Sequence, residues 1–272
     1  MPKISNKNYW DSIADEYDQF THISCDDFHF GPLIPGDNFL KILPKNLNNK
    51  NCLEIGCGAA QNSIFLTKEK NALCTAVDIS FKQIQQAKKL CLKHSVNVNL
   101  ICDSMENITL KKYGHFDFIH ASHSLQFVKE PAKIIAESAK MLQEGGTLFF
   151  SIPHPVFSGE LVTFEDDTTG MSLKHYFAPP DETREDSLGN VVIKSRTYPI
   201  SQSVSWILDA GLTIKNILEP KPIVIDPFNE TAETRHALSL QDSTPYYSDR
   251  WSEYYYEMQK FPVTVIFLCK KV

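Results

Sequence analysis

A glycine-rich turn with a carboxylate beside it is the part of this sequence that most clearly suggests chemistry. Glu54 precedes Gly56, Cys57 and Gly58, where the apolar run 52–55 ends. Glycine lets the backbone turn sharply and approach a ligand closely, because no Cβ stands in the way. The turn is therefore predicted to join a buried strand to a helix and to hold a nucleotide-like ligand against bare backbone.

Two residues of this turn indicate which ligand it holds. A dinucleotide fingerprint requires a third glycine at position 61, where this chain has Gln61. The carboxylate of Glu54 would repel a pyrophosphate, whereas it would attract the ammonium group and the sulfonium of S-adenosylmethionine. The turn therefore favours this methyl donor over a dinucleotide such as NAD.

Two further carboxylates end the next two apolar segments. Asp78 lies roughly 20 residues after the glycine turn, a spacing at which an acid reaches ribose hydroxyls. Asp103 is followed by Ser104 and Met105, so an acceptor for an adenine amino group stands beside an apolar cover for the ring. The sequence thus predicts several strands that carry acidic or small residues to one sheet edge.

Each acid also has a structural interpretation. Asp78 could cap the helix that follows, but Ser80 is the better N-cap for a helix through residues 83–91. Asp103 alone could be an ordinary strand-end acid. Asp117 stands near the start of the fourth strand, 116–122, far from the carboxyl edge, and is predicted to be structural. The acids and the glycine turn, taken together, favour ligand binding.

These motifs resemble those of the class I S-adenosylmethionine-dependent methyltransferases, and of their small-molecule branch in particular. The resemblance extends over about residues 50–152, and the motifs specify the donor far better than the acceptor. It implies that the glycine turn approaches the methionine moiety, that Asp78 binds the ribose and that Asp103 binds the adenine. The motifs are Glu-Ile-Gly-Cys-Gly (54–58), Val-Asp-Ile-Ser (77–80), Cys-Asp-Ser-Met (102–105), Phe-Asp-Phe-Ile (116–119) and Leu-Gln-Glu-Gly-Gly-Thr-Leu-Phe-Phe (142–150). The donor contacts that it implies are Tyr9, Tyr17, Glu54, Gly56, Cys57, Gly58, Gln61, Asn62, Asp78, Ile79, Ser80, Asp103, Ser104, Met105, Ala121, Ser122 and Gln126.

The resemblance also implies an α/β fold. We expect a seven-stranded, mostly parallel Rossmann-like sheet with an antiparallel last strand, helices on both faces and lid-like insertions. A helix over 203–210 is predicted to end at Gly211, before the last two strands, 212–218 and 263–269. Within one domain, 1–272, the predicted parts are an N-terminal helical lid (1–45), a donor-binding core (46–152), an insertion or cap (153–201) and the last helices and strands (202–272), with a second insertion (220–262).

An apolar stripe near the N-terminus favours a helix that covers the donor. Tyr9, Trp10, Ile13, Ala14 and Tyr17 recur at helical spacing and form one apolar face with two phenol tips. Such a stripe can simply pack on a sheet. The resemblance, however, places this helix beside the sulfonium and therefore predicts a lid.

Three side chains are candidates for a general base. Methyl transfer from a sulfonium is an in-line displacement, and it requires a base only if the acceptor must lose a proton. His154 follows the fifth strand, His123 follows the fourth, and Tyr198 precedes the last helix. His154 could also be a loop residue without a role, and His123 a helix cap. Related small-molecule enzymes often have a His-Arg pair where this chain has Thr197-Tyr198.

The composition limits the kinds of binding partner and metal that this protein is expected to have. The net charge of −6 argues against a broad nucleic-acid interface, and the seven cysteines lack paired metal-ligand spacing, so no metal is predicted. Cysteines within apolar strands, Cys102 among them, are interpreted as small hydrophobic residues. No apolar run approaches the ~20 residues of a membrane-spanning helix, and the sequence favours a cytoplasmic enzyme.

The acceptor is predicted to be a small organic molecule that is methylated at oxygen, nitrogen or carbon. Acidic residues at 165–167 and 181–186 would also tolerate a basic amine. A tRNA or rRNA base methyltransferase, a non-catalytic donor-binding subunit and a nicotinamide oxidoreductase remain as alternatives, and the oligomeric state is left open. The aromatic residues expected around the acceptor are Phe157, Phe164, Tyr176, Phe177, Tyr198, Tyr246 and Tyr247.

Overall fold

The computed structural model describes residues 5–166, 168–173, 175–185, 187–223, 244–248 and 259–272. Most of the predicted insertion 220–262 lies outside these ranges, as do residues 167 and 186 of the two acidic runs. The helices are α1 (Asn6–Phe20), α2 (Asp37–Leu40), α3 (Gln61–Lys70), α4 (Phe81–Lys93), α5 (Leu110–Tyr113), α6 (Pro131–Met141) and α7 (Ile200–Asp209), with short 3-10 turns at Met105–Asn107, Leu125–Phe127 and Pro155–Ser158. The strands are β1 (Thr21–Ile23), β2 (Asn51–Ile55), β3 (Leu73–Asp78), β4 (Asn99–Cys102), β5 (Phe116–Ser122), β6 (Leu142–Pro153), β7 (Glu160–Thr163), β8 (Thr169–Ser172), β9 (Glu182–Glu185), β10 (Val191–Ser195), β11 (Leu212–Leu218), β12 (Tyr246–Ser248) and β13 (Thr264–Lys271).

The central sheet has seven strands in the order β11-β13-β6-β5-β2-β3-β4. Strands β6, β5, β2, β3 and β4 run parallel to one another, whereas β13 is antiparallel to both β6 and β11. The prediction of a mostly parallel sheet with an antiparallel last strand is therefore confirmed. Strand β2 lies beside β3 on one side and β5 on the other, so the direction in which successive strands are added to the sheet reverses at β2. Sheets of this type bind ligands at that point.

Two apolar cores cover the two faces of this sheet. On one face, Phe118 and Phe149 pack with Ile64 of α3 and Ile84 of α4. On the opposite face, the alternate sheet residues Ile119 and Phe150 pack with Ile134 of α6 and Ile207 of α7. Successive residues of a strand point to opposite faces, so each strand contributes to both cores and forms a nearly continuous apolar run.

Local signals set most element boundaries. The Ser80 hydroxyl accepts a hydrogen bond from the backbone N–H of Gln83 at 3.2 Å, which is the predicted N-cap of α4. Gly211 follows α7 with a φ of +74°, as predicted. Helix α7 begins at Ile200, earlier than predicted, because Pro199 stands before its first turn and has a φ of −52° that suits a helix start.

Among the described residues, three two-stranded sheets lie outside the central one. Strands β7 and β8 form one antiparallel hairpin and β9 and β10 form another, both within the segment predicted as an insertion. Strand β1 pairs with β12, which brings the segment after α1 next to residues far along the chain. The sequence did not predict this last pairing, because β1 and β12 have only three residues each.

All seven cysteines are free thiols, and six of them are buried. Cys102 is exposed, which corrects its interpretation as a small hydrophobic core residue. Within the described residues, no group of three or more His, Cys, Asp or Glu side chains could hold a metal ion. No helix in these ranges has the length and apolar character needed to cross a bilayer.

Candidate active site

A cavity of about 530 Å³ opens at the carboxyl ends of β2, β3 and β5. Its floor is formed by the glycine turn and the strand ends, and its walls include residues of α1, β9 and β12. A volume of this size lies within the range of ligand pockets, about 300–1,000 Å³. The cavity is therefore large enough for a nucleoside-sized ligand beside a small second molecule.

The glycine turn has the backbone that the sequence predicted. Gly56 and Gly58 have φ values of +70° and +52°, where glycine is favoured. A Cβ on Gly56 would lie 2.4 Å from the Cβ of Ser124, so a larger residue has no space there. The N–H groups of Gly56 and Cys57 donate to the carbonyl of Val77 at 2.8 and 3.0 Å, which ties the turn to the end of β3.

Asp78 fixes this turn while it lines the cavity. One carboxylate oxygen accepts from the N–H of Gly58 at 2.8 Å, and the other accepts from the N–H of Ser80 at 2.8 Å. Burial raises the pKa of Asp78, while the hydrogen bonds from these two N–H groups oppose that rise. The carboxylate is thus held rigidly at the cavity wall.

Glu54 is buried below the turn and is also in contact with the cavity. Its carboxyl oxygen Oε2 accepts from the N–H of Ser63 at 3.0 Å and from its hydroxyl at 2.5 Å. Burial raises the pKa of Glu54 to about 8, against the effect of these hydrogen bonds. Glu54 is therefore largely protonated near pH 7, which corrects the sequence interpretation of Glu54 as a standing negative charge.

We expect Glu54 to make the protein less stable as the pH rises. Its pKa is about 8 when folded, against an ordinary value of 4.5, so the folded state holds the proton more tightly. The free energy of unfolding should therefore fall between about pH 5 and pH 8. Urea unfolding of Glu54→Gln should show a smaller fall over this window than wild type. Equal slopes for the two proteins would contradict the shifted pKa.

The predicted adenine ligand, Asp103, has a different role. Its carboxylate accepts from the Ser104 N–H at 2.9 Å, from Asn107 at 2.8 Å and from the Tyr113 hydroxyl at 2.9 Å, and it pairs with Lys112. Burial acts to raise its pKa, but these hydrogen bonds outweigh it and hold the pKa at about 2. Asp103 does not line the cavity, whereas Ser104 does. Its carboxylate anchors the segment after β4.

Helix α1 lies against the cavity and is fixed by contacts to distant segments. The amide of Asn6 donates to the carbonyl of Phe127 at 2.7 Å, and the Trp10 ring meets the Phe127 ring edge-on at 5.3 Å. The hydroxyl of Tyr9 accepts from the guanidinium of Arg184 at 2.6 Å. Asn6, Trp10 and Arg184 also line the cavity. The helix therefore acts as one wall of the cavity.

The three candidate bases are placed very differently. His154 is buried outside the cavity, where Nδ1 accepts from the Val156 N–H at 3.1 Å and Nε2 lies 2.7 Å from a carboxylate oxygen of Glu219. Tyr198 donates to the carbonyl of Val128 at 3.4 Å and also lies outside the cavity. Both base assignments are corrected by this geometry, because neither side chain reaches the cavity.

His123 does line the cavity, but one of its ring nitrogens is engaged. Its Nε2 lies 2.9 Å from the hydroxyl of Thr264, and its backbone has a φ of +49°. Burial lowers the pKa of His123 to about 3, so the ring is neutral near pH 7. His123 stays a candidate for contact with the acceptor.

Replacing His154 should leave catalysis nearly unchanged. Both ring nitrogens of His154 contact protein groups, and the residue lies outside the cavity. His154→Gln should keep kcat within about threefold of wild type in an assay of S-adenosylhomocysteine release. A loss of 10²-fold or more, the size expected for a general base, would restore the original assignment.

The middle of the chain matches a known family. Residues 53–150 fit the family model described as Methyltransferase domain. The matched segment covers about a third of this chain. The resemblance predicted from the glycine turn and the strand ends is confirmed.

The curated relatives match a shorter part of this chain than the solved structures do. A ubiquinone biosynthesis O-methyltransferase of Coxiella burnetii is 34% identical over 117 residues, which cover 43% of this chain and 49% of the relative. The protein of the same name from Escherichia fergusonii is 29% identical over 105 residues, or 39% and 43% of the two chains. The chain thus spans about half the length of the curated relatives it matches.

The similarity to solved structures extends beyond the methyltransferase domain. An S-adenosylmethionine-dependent methyltransferase from Mesorhizobium loti has a TM-score of 0.61 at 17% identity, with 85% of this chain and 94% of that one covered. The CcbJ methyltransferase from Streptomyces caelestis has a TM-score of 0.58 at 14% identity, with 98% and 99% covered. At these identities the comparison shows a shared fold.

Most of the residues predicted to contact the donor lie at this cavity. Three of the predicted donor contacts that lie outside the cavity have other roles. Ser80 caps α4, Asn62 accepts a hydrogen bond from the backbone N–H of His29, and Tyr9 contacts Arg184. The predicted donor contacts that line the cavity are Tyr17, Glu54, Gly56, Cys57, Gly58, Gln61, Asp78, Ile79, Ser104, Met105, Ser122 and Gln126. The predicted site residues that do not line it are Tyr9, Asn62, Ser80, Asp103, Ala121, His154 and Tyr198.

Two polar cavity residues outside the matched segment, His29 and Arg184, were not predicted as site residues, and the contact made by a third, Tyr246, was not foreseen. His29 lies in the segment between β1 and α2, Arg184 lies on β9, and Tyr246 lies on β12. Tyr246 was expected only as a general aromatic wall, and its hydroxyl makes a close contact with that of Tyr17. Arg184 was interpreted only as part of the acidic run 181–186. A single basic residue within such a run could have indicated that this side chain makes a specific contact.

Proposed function

We propose that this protein is an S-adenosylmethionine-dependent methyltransferase that methylates a small organic molecule. The observation that carries the proposal is the cavity at the switch point of the sheet, bordered by the glycine turn and Asp78. The match of residues 53–150 to a methyltransferase domain and the shared fold of solved methyltransferases support the same activity.

The residues at the cavity suit the donor. Gly56 and Gly58 line the cavity and present bare backbone to a ligand, and the Asp78 carboxylate is held where it can accept from ribose hydroxyls. Met105 lines the wall beside Gly56, where it offers an apolar cover for the adenine. The donor supplies an activated methyl group, and the protein's task is to align the acceptor with it and to exclude water.

The walls of the cavity support a small acceptor. Helix α1 and strands β9 and β12 border the space, so an acceptor must fit between these elements and the strand ends. Arg184 is the only Lys or Arg among the described residues that line the cavity, and a net charge of −6 does not favour a nucleic-acid substrate. The matched relatives are named as O-methyltransferases, which supports an oxygen as the acceptor atom. The free cysteines support a reducing compartment such as the cytoplasm.

Donor binding and turnover test this function directly. Isothermal titration calorimetry should show binding of S-adenosylmethionine and no binding of NAD. Release of S-adenosylhomocysteine should then be followed with labelled donor and a panel of small hydroxyl compounds and amines, with bulk tRNA as a further acceptor. Binding of NAD alone would overturn the proposal, and transfer of label to tRNA alone would reassign the substrate to RNA.

A further inference from the structure

His29 is a buried histidine at the cavity whose ring is not fully used by the protein. Only 7% of its surface is exposed, and it lines the cavity. Its Nδ1 is buried and has no hydrogen-bond partner among the described residues. A buried polar atom without a partner is unfavourable and uncommon, so its retention needs an explanation.

The backbone of His29 is held from both sides. The Asn62 side chain accepts from the His29 N–H at 2.9 Å and donates to its carbonyl at 2.9 Å. The Ser122 hydroxyl donates to the same carbonyl at 3.2 Å. The ring also meets the Tyr246 ring edge-on at 5.2 Å. The scaffold therefore positions this histidine firmly, although it leaves Nδ1 unbonded.

The other buried acid–base groups of the cavity are engaged with the protein. Glu54 accepts two hydrogen bonds from Ser63, and each carboxylate oxygen of Asp78 accepts a backbone N–H. The hydroxyls of Tyr17 and Tyr246 contact each other. His123 shares Nε2 with Thr264. Among the buried acid–base groups described at this cavity, His29 is thus the one with a fully buried polar atom that has no hydrogen-bond partner.

The His29 ring is also in the correct charge state. Burial lowers the pKa of His29 to about 3, so the ring is neutral near pH 7 and has a lone pair to offer. Without a partner at Nδ1 in the described part of the chain, no contact of that atom fixes the tautomer. A neutral imidazole of this kind can accept a hydrogen bond from a hydroxyl and then its proton.

We propose that His29 is the general base of this enzyme and that the acceptor atom is a hydroxyl oxygen. The inference rests on the proposed function and deepens it. In the reaction the hydroxyl oxygen forms a bond to the methyl carbon, and the electron pair of the S–CH₃ bond stays on sulfur. The O–H bond breaks and its proton passes to a ring nitrogen of His29, from which water removes it after the methylated product leaves.

The low pKa of His29 does not prevent this transfer. Before the reaction the donor sulfur carries a positive charge and His29 is neutral. After it, sulfur is neutral and the imidazolium of His29 carries the charge. Because the buried charge moves without increasing, the burial that opposes imidazolium formation in the free protein is offset by the loss of the sulfonium. An amine acceptor already protonated in solution would not gain this advantage.

Replacing His29 should separate proton transfer from donor binding. His29→Gln should lower the rate of S-adenosylhomocysteine release with hydroxyl acceptors by about 10²–10⁴-fold, while the donor Kd stays within about threefold. His154→Gln is the matched control, since that buried histidine lies outside the cavity. Turnover of hydroxyl compounds by His29→Gln within about threefold of wild type, or turnover of amines alone, would overturn the inference.

A second measurement applies if no panel member is turned over. In ¹⁵N-histidine spectra of the protein with S-adenosylhomocysteine, the His29 ring signals are assigned by their loss in His29→Gln. Phenol, used as the probe, should shift those signals, and an absence of any shift would refute the role of His29. Failure of the wild type to bind S-adenosylmethionine would instead overturn the proposed function, together with the inference that rests on it.

Discussion

Asp78→Ala should weaken the binding of S-adenosylmethionine by about two orders of magnitude. The carboxylate is held at the cavity wall by the N–H groups of Gly58 and Ser80, each at 2.8 Å. Loss of a charged acceptor for two buried ribose hydroxyls costs on the order of 2–3 kcal/mol. Since about 1.4 kcal/mol corresponds to a tenfold change in Kd, this loss corresponds to about 100-fold.

Asp117→Ala provides the matched control for this experiment. Asp117 is also an acid on a core strand, but it accepts from the Asn51 N–H at 2.9 Å and the Lys50 ammonium at 3.1 Å, at the opposite end of the sheet. Calorimetric titration should find its donor Kd within about threefold of wild type. If Asp78→Ala also binds donor within about threefold of wild type, Asp78 does not bind the ribose.

Removal of residues 1–20 should abolish turnover while the central sheet remains folded. Helix α1 supplies Asn6, Trp10 and Tyr17 to the cavity wall, so its loss admits water and removes that wall from the acceptor. None of the α1 residues whose side chains the structure describes, 6–17, belongs to the two apolar cores that cover the sheet faces. The truncated protein should therefore keep a cooperative thermal transition and the circular dichroism of an α/β fold.

Asp15→Ala is a mild control within the same helix. Asp15 is exposed and pairs with Lys82 at 3.2 Å on the surface, where ion pairs contribute little. Its turnover should equal that of wild type in the S-adenosylhomocysteine assay. A truncated protein that folds and still turns over normally would show that α1 does not enclose the reaction.

The parts of the site that sequence could predict depend on residues close together in the chain. Gly56 and Gly58 lie in one turn, Asp78 ends the next strand, and Ser80 caps the helix after it. Each of these signals is local, and parallel strands bring such strand ends to one edge of the sheet. The part of the cavity formed by the glycine turn and the strand ends is therefore predictable from the amino-acid sequence alone.

The remaining parts of the site depend on contacts between segments that are distant in the chain. His29 is positioned by Asn62 and Tyr246, from α3 and β12, in a segment without helical or strand periodicity. His154 follows β6 as predicted, but its ring pairs with Glu219 outside the cavity. Sequence order gives the sheet edge at which a residue emerges, whereas the direction of its side chain is set by neighbours that only the fold reveals.

The position of β6 in the sheet has a consequence for the synthesis of this protein. Strand β6 lies between β5 and β13, and residues 154–263 separate it from β13. At translation rates of about 5–20 residues per second, this apolar strand waits on the order of ten seconds on the ribosome for its second partner. An unpaired strand edge is a template for aggregation. The nascent chain is therefore most prone to aggregation after residues 53–150 have emerged, and low temperature or a bound chaperone should raise the yield of folded protein.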